Sequence, residues 1–505
     1  MTLATIQSRA LLGVDAIEVT VETHLSNGLP AFAIVGLPET AVKESKERVR
    51  SAIINSGLEF PARRITVNLA PADLPKAGGR YDLAIALSTL IASGQLEHKL
   101  LRGMEVLGEL ALDGSIRAVQ GTVSAIIAAK QQGHGILLPA ANREELALVA
   151  YERGFGAGSL SEIVQTLPQG LPAPKPKPAD EPCETDLNAS LSQIRGQAFA
   201  KRAVQIAAAG GHNLLMIGPP GSGKTLLANL LIGILPSLNE AEALEVATIK
   251  SAAREHFVRG DWFRRPIRSP HHTATSVALV GGGNRVSPGE ISLAHRGVLF
   301  LDEVSEFKPG VLDALREPLE SGVISVSRAN YRVKFPANFQ LLAAMNPCPC
   351  GYASDPNHEC RCSEDRIDRY LGKLSGPLLD RVDLVIEVPA LSQVELLQER
   401  PDDLDWSDVR SRIRRCRDLQ NRRAGKLNSR LQLAEMNEYC NLDREQRGRL
   451  ANIMDKLAMS ARATHRVIKM ARTIADFEEC EEIRERDLME AIGYRRCQIS
   501  KLITR

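Results

Sequence analysis

No run of eighteen or more uncharged apolar residues occurs in the 505-residue chain, so no membrane-spanning helix is expected. The opening segment, Met1 to Ala10, lacks the basic and apolar stretches of a secretory leader, which points to a cytoplasmic protein without a membrane partner. The formal net charge is only +2. A global field that draws the protein onto nucleic acid is thereby excluded, and any such binding must come from local basic surfaces. Internal repeats and long low-complexity tracts are also missing. Cysteine is present in an odd number, nine, which fits a reducing compartment with free or metal-bound thiols and not a disulfide framework. Apolar residues make up 44% of the chain, enough for a large core divided into about three domains.

The sharpest break in the pattern is Pro168 to Asp186, where proline and charge replace every apolar period. It reads as an extended linker. Before it, β-rich runs at Ile65 to Leu69 and Glu105 to Leu110 alternate with helical patterns at Thr40 to Ser56, Asp82 to Ala92 and Gly121 to Gln131, which predicts an α/β or α+β domain. After it, a helix at Ala198 to Ala209, an apolar strand at Asn213 to Ile217, a glycine-rich loop, another helix and a strand at Val298 to Leu301 follow the order of a parallel sheet. From Gln393 onward only helical periods remain, at Val409 to Arg423, Arg444 to Ser460, Thr464 to Phe477 and Glu485 to Ser500. The expected division is therefore 1–168, a linker at 169–187, an α/β core at 188–392 and a helical lid at 393–505.

Leu214 to Thr225 reads LLMIGPPGSGKT, an apolar strand entering Gly218-Pro219-Pro220-Gly221-Ser222-Gly223-Lys224-Thr225 and then an apolar helix. That strand, spacing and helix together are the context of a P-loop. Glycines let backbone N–H groups turn inward around phosphates, Lys224 neutralises β and γ oxygens, and the Thr225 hydroxyl suits Mg²⁺. The expected ligands are ATP and Mg²⁺. Gly297 to Glu303 is an apolar strand ending in two carboxylates, as a second Mg²⁺ contact at Asp302 and a water-polarising base at Glu303 demand. Leu341 to Asn346 is another apolar strand, ending in an amide suited to the attacking water or γ-phosphate. A capping Asn before Pro347 would look the same. Arg381 and Arg462 are candidates to stabilise charge developing on the γ-phosphate, and if Arg381 acts on a neighbouring subunit the enzyme must be a ring.

Cys348-Pro-Cys350 and Cys360-Arg-Cys362 lie just after Asn346, within a Cys-rich insert at 346–364. Four thiolates in one loop suit tetrahedral Zn²⁺, although the one-residue spacers are shorter than the commoner ones. His358 is a substitute ligand on sequence grounds. His271 and His272 have no carboxylate or Cys at ligand spacing beside them, which favours a nucleotide-pocket or subunit-contact role. The Arg-dense stretch Val409 to Arg423 reads as a mixed solvated helix or subunit contact, with a DNA face as the sharper reading.

This order of motifs resembles an AAA+ ATPase, and more narrowly the ComM/YifB family of magnesium-chelatase-like proteins. The resemblance is carried by Gly196-Gln197, Ser269 to Thr273, Gly281 to Gly283, Pro288 to His295, the LFLDE strand, Arg316 to Glu320, Asn346 to Gly351 and Ser375 to Leu384. It implies an α/β P-loop core with a C-terminal helical lid, nucleotide contact by Gln197, and the roles of sensor 1 for Asn346, arginine finger for Arg381 and sensor 2 for Arg462. It also implies a homo-hexameric helicase that migrates branched DNA during recombination of transforming DNA, with hairpin residues Arg285 and Arg328 facing the pore and holding the phosphate backbone. A metal-insertion ATPase subunit and a protein-remodelling chaperone are the rival readings. The N-terminal domain resembles the α+β Lon-protease-like, ribosomal S5 domain 2-like fold. Lys76 and Ser88 are available there for a Ser-Lys dyad, but Ser88 falls inside a predicted helix, so no peptidase activity is expected.

Overall fold

The computed structural model describes residues 2–170, 196–255, 259–283, 286–327, 332–355, 358–390, 405–457 and 459–495. Most of the predicted linker falls outside them, as do Arg285 and Arg328. The chain forms two compact units: Met1–Pro182 with Glu240–Phe263 and Ser327–Phe335, and Cys183–Asn239 with Arg264–Val326 and Pro336–Arg505.

The first unit is built on a mixed seven-stranded sheet in the order Ala31–Val35, Arg64–Ala70, Asp15–Ser26, Leu3–Leu12, Met104–Val106, Gly135–Pro139, Gly154–Ala157. Asp15–Ser26 runs antiparallel to both its neighbours, and the remaining pairs are parallel. The alternation of Ile65, Val67 and Leu69 with more exposed neighbours puts one face of Arg64–Ala70 into the core. The helix Asp82–Ala92 is buried along its whole length. Its first residue, Asp82, is tolerated there because Arg48 Nε donates to its carboxylate at 2.6 Å and the Leu110 N–H at 3.3 Å. The predicted helix Thr40 to Ser56 is two helices, Thr40–Lys43 and Ser45–Asn55. The predicted strand Glu105 to Leu110 is likewise interrupted, into Met104–Val106 and Glu109–Leu110. Ser88 lies within Asp82–Ala92, paired with Thr23 Oγ1 at 2.6 Å, while Lys76 donates to the Pro71 carbonyl. The dyad partners thus have other bonds.

One segment departs from the expected division. The helix Glu240–Ala253, placed by sequence in the P-loop core, belongs to the first unit. Ala247 is buried beside Val123, Ile126 and Leu138, and Ser251 O accepts the Gly121 N–H at 3.1 Å. The physical reason is apolar burial, which is indifferent to chain order.

The second unit holds a five-stranded sheet ordered Ile267–Arg268, Val298–Leu301, Gln340–Met345, Leu214–Ile217, Leu384–Glu387. All its pairings are parallel. Both faces are covered, as parallel sheets require. Leu214, Met216, Leu342, Ala344 and Ile386 point to one apolar cluster, with helices Ala198–Gly210, Lys224–Ile234, Trp406–Ala424 and Ala461–Phe477. Leu215, Ile217, Leu301, Ala343 and Met345 point to the other. Beyond Glu387 the described residues contain helices and no strand, as expected; Trp406–Ala424, Arg444–Leu457, Ala461–Phe477 and Glu485–Gly493 fall on the predicted periods, and Leu433–Tyr439 is a further helix the periodicity did not mark. No helix among the described residues is long and apolar enough to cross a membrane.

Candidate functional site

Strand order places the site. The first strand of the parallel sheet, Leu214–Ile217, lies between the fourth and fifth, so chain crossovers diverge on either side of it and leave a crevice at its carboxyl end. Gly218 begins there. A Cβ on Gly218 would sit 2.1 Å from the Val388 carbonyl oxygen, so only glycine permits this close approach. Gly221 and Gly223 take φ of 78° and 87°, and Gly223 caps the helix Lys224–Ile234. That conformation belongs to glycine, and it turns backbone amides toward the helix N-terminus, where the macrodipole favours an anion.

The polar side chains converge on this point from three strand ends. Lys224 Nζ donates to the Gly218 and Pro219 carbonyls at 2.7 and 2.8 Å and to Asn346 Oδ1 at 3.2 Å. Burial pulls its ammonium pKa down, against the raising influence of Asp302 and Glu303. The Thr225 hydroxyl donates to Asp302 Oδ2 at 3.3 Å. Hydroxyl and carboxylate oxygens side by side are the hard donors that Mg²⁺ takes, so this pair fits the ion the motif implies. Glu303 follows at φ 49°, a left-handed conformation costing a non-glycine residue about 1–2 kcal/mol. Its N–H is held by Asp302 Oδ1 at 2.9 Å, and its own carboxylate is exposed. His272 Nδ1 lies 3.7 Å from Glu303 Oε2, with the His271 ring 4.1 Å from that of His272. The histidine pair thus stands beside the site. Gln197, also left-handed at φ 54°, braces the loop by donating to the Ser222 carbonyl at 2.6 Å and the Pro389 carbonyl at 3.3 Å.

The two candidate arginines are not joined to this group. Arg381 pairs with Glu320 and donates to the Pro377 carbonyl at 2.8 Å. Arg462 is exposed in the first turn of Ala461–Phe477. Neither partner of Arg381 was legible in the sequence. Nearby, Arg466 forms an ion pair with buried Asp383, whose other oxygen accepts the Asn213 N–H at 2.8 Å. Burial alone would raise this carboxyl, but Arg466, His212 and that N–H together hold it well below the ordinary carboxylate range. In the Arg-dense helix Trp406–Ala424, expected to be solvated or at a subunit contact, several arginines instead bond within the chain: Arg417 donates to the Ala208 carbonyl, Arg410 to the Gly233 carbonyl, and Arg423 to Asp476. These cations hold the lid in place.

The four sulfurs of Cys348, Cys350, Cys360 and Cys362 lie within 4.8 Å of one another. Burial opposes ionisation of all four and pushes the thiols of Cys348, Cys360 and Cys362 up, while the N–H groups of Tyr352 and Arg361 bring Cys350 down to about 6. His358 does not join the cluster; it bonds Asp355 at 2.8 Å and stacks on Tyr352.

Known proteins match the chain along nearly its whole length. The family model "Magnesium chelatase, subunit ChlI" matches residues 190–396, "Subunit ChlI of Mg-chelatase" residues 21–142, and "Magnesium chelatase, subunit ChlI C-terminal" residues 405–495. The competence protein ComM of Haemophilus influenzae is 47% identical over 503 residues, covering 98% of each chain. The chain belongs to the ComM/YifB family of magnesium-chelatase-like proteins. An uncharacterized YifB protein of Salmonella typhimurium is 48% identical over 495 residues, 98% of this chain and 97% of that one. The magnesium-chelatase 38 kDa subunit of Cereibacter sphaeroides is more distant, 27% identical over 224 residues, 40% of this chain and 60% of its own. As a ComM/YifB protein the chain carries an AAA+ core of the magnesium-chelatase type, the fold class expected from its motifs, and that family points to ATP with Mg²⁺ as the ligand of the P-loop crevice.

Proposed function

We propose that this ComM/YifB protein is an ATP-driven DNA motor, a cytoplasmic homo-hexamer that migrates branched recombination intermediates. The observation that carries the ATPase half is the convergence of Lys224, Thr225, Asp302 and Asn346 through direct hydrogen bonds at the carboxyl ends of the interior strands. In this reading the backbone from Gly218 to Gly223 cradles the β- and γ-phosphates, and Lys224 leaves its carbonyl acceptors for their oxygens. Thr225 and Asp302 would hold Mg²⁺, which supplies charge neutralisation on the phosphates. Glu303 accepts a proton from the attacking water, Asn346 orients that water, and Arg462 steadies the γ-phosphate from the lid. Arg381 exchanges Glu320 for the triphosphate of a neighbouring subunit, acting as an arginine finger. Charge developing in the transition state then meets cations from two chains, which makes turnover depend on ring assembly.

The DNA half rests on the full-length similarity to the ComM protein of Haemophilus influenzae. A metal-insertion role draws on the magnesium-chelatase family models, but the chelatase subunit of Cereibacter sphaeroides is 27% identical over 40% of the chain against 47% over 98% for the ComM protein, and no observation favours a chaperone. Arg285 and Arg328 would grip the DNA backbone without reading sequence. The four cysteines would hold Zn²⁺. The experiment is conversion of a labelled four-way junction with and without ATP, alongside ATPase rates with and without DNA. Junction product and DNA-stimulated hydrolysis are expected. Neither product nor stimulation would remove the DNA motor and leave the ATPase to be explained by another client.

A further inference from the structure

The insert between Pro347 and Ser363 contains no helix or strand among its described residues, yet it adjoins the most position-sensitive groups of the site. Cys348 follows Asn346 by two residues and is fully buried, in the same apolar cluster as Met345, Ile217 and Leu301. The turn that carries the first two thiols is closed by the Gly351 N–H bonding the Cys348 carbonyl at 3.0 Å. Gly351, at φ 88°, rests on the P-loop itself: a Cβ there would come within 2.7 Å of Pro220 Cδ and 4.0 Å of the Asn346 amide carbon. At its other end the insert runs from Cys360 and Cys362 into the helix Glu364–Leu371, whose Ile367, Tyr370 and Leu371 are buried in that same cluster.

Sulfur separations of 3.3 Å for Cys348–Cys350, 3.7 Å for Cys348–Cys360 and 3.5 Å for Cys350–Cys360 approach the spacing of about 3.8 Å set by four thiolates at 2.3 Å around one tetrahedral ion. With His358 committed to Asp355 and Tyr352, the donor set is four sulfurs, the soft set that selects zinc over magnesium or calcium.

We propose that a zinc ion bound by Cys348, Cys350, Cys360 and Cys362 is a positioning clamp for the ATPase site, fixing Asn346 and Pro220 around the triphosphate without touching it. The inference rests on the ATPase and zinc readings above. The ion cross-links the end of the strand Gln340–Met345 to the helix Glu364–Leu371, so that the intervening turn presses on the P-loop in one arrangement. Without the cross-link that turn samples many, and Asn346 Oδ1 no longer meets Lys224 at a fixed distance. Small misplacements of positioning groups slow the chemical step far more than they weaken nucleotide binding. The predicted signature is therefore a fall in kcat with ADP affinity nearly unchanged.

The test measures zinc per chain, ATP turnover, fluorescent-ADP affinity and hydrogen exchange of the segment Gly218 to Thr225, in the full-length protein and in Cys360→Ser and Gly351→Ala. The unaltered protein should release one zinc on treatment with an organomercurial. Cys360→Ser should hold none, exchange faster at the P-loop and lose at least about tenfold in kcat, with ADP affinity within about threefold. Gly351→Ala should keep its zinc, because the ligands are intact, yet show the same loss of turnover. Normal turnover and normal P-loop exchange in a zinc-free Cys360→Ser would overturn the clamp, as would normal turnover in Gly351→Ala. Absence of zinc from the unaltered protein overturns the metal assignment on which the clamp depends. Absence of ATP turnover counts against the ATPase reading alone, because P-loop exchange still responds to zinc removal if the clamp is right.

Discussion

Replacing Arg466 by Ala should destabilise the P-loop unit and loosen the lid helix that carries Arg462. Arg466 reaches from the lid to Asp383, which sits at the base of the strand Leu384–Glu387 and also accepts the Asn213 N–H. The Asp383 side chain is 3% exposed and that of Arg466 23%. Removing one partner of a fully buried ion pair costs about 3–5 kcal/mol. Here Asp383 keeps the Asn213 N–H at 2.8 Å and His212 at 3.7 Å, and the arginine is partly solvated, so about 2–3 kcal/mol is the better figure. For a unit of this size that lowers Tm by roughly 3–5 °C. The pH dependence has a definite sign. A carboxyl held below its ordinary value stabilises the fold at neutral pH, and that contribution is lost only as pH falls through the depressed value. Without Arg466, burial dominates and Asp383 takes up its proton at higher pH, which removes the uncompensated charge. The gap in Tm between the variant and the unaltered protein should therefore be widest near neutral pH and narrower at about pH 4.5. Thermal melts at both conditions test this. A variant melting within about 1 °C of the parent at neutral pH, or a gap that widens on acidification, would refute the reasoning.

Lys224→Ala should abolish ATP binding measured with a fluorescent analogue; retained turnover would put the nucleotide elsewhere. Glu303→Gln should keep that binding and lower kcat by about 10²–10⁴, the usual contribution of a general base, and a loss smaller than tenfold would remove Glu303 from that role. Gly218→Ala forces a methyl to 2.1 Å from the Val388 oxygen, so nucleotide binding should fall with little change in far-UV circular dichroism. In Arg328→Ala, DNA affinity should weaken evenly across sequences and its salt slope should drop by about one unit; an unaltered slope would take Arg328 out of the DNA contact.

The phosphate-binding loop was legible because its chemistry is contiguous: glycines, lysine and threonine stand in one stretch, and the helix that follows orients them. The placing of Asp302 and Asn346 at strand ends was legible for a related reason, since each follows an apolar run that reads as an interior strand. Four helices of the lid carried the same kind of local signal and begin within three residues of expectation, but Leu433–Tyr439 was not anticipated, and the last helix ends at Gly493, short of the expected Ser500.

Partners joined across the fold were not. Lys224 meets Asn346 only because strand order 2-3-4-1-5 sets the fourth strand beside the first, and no spacing in the chain encodes that neighbour. The pairing of Arg381 with Glu320, the commitment of Arg410 and Arg417 to backbone carbonyls, and the packing of Glu240–Ala253 within the first unit are of the same kind. The sequence alone determined which residues offer the glycine conformations and the cationic, hydroxyl and carboxylate groups suited to a triphosphate and its metal, because backbone conformation and side-chain chemistry are local properties. Which of those groups touch, and which cations are already taken, was decided by the tertiary structure, because burial and charge pairing act between surfaces brought together only when the sheet closes.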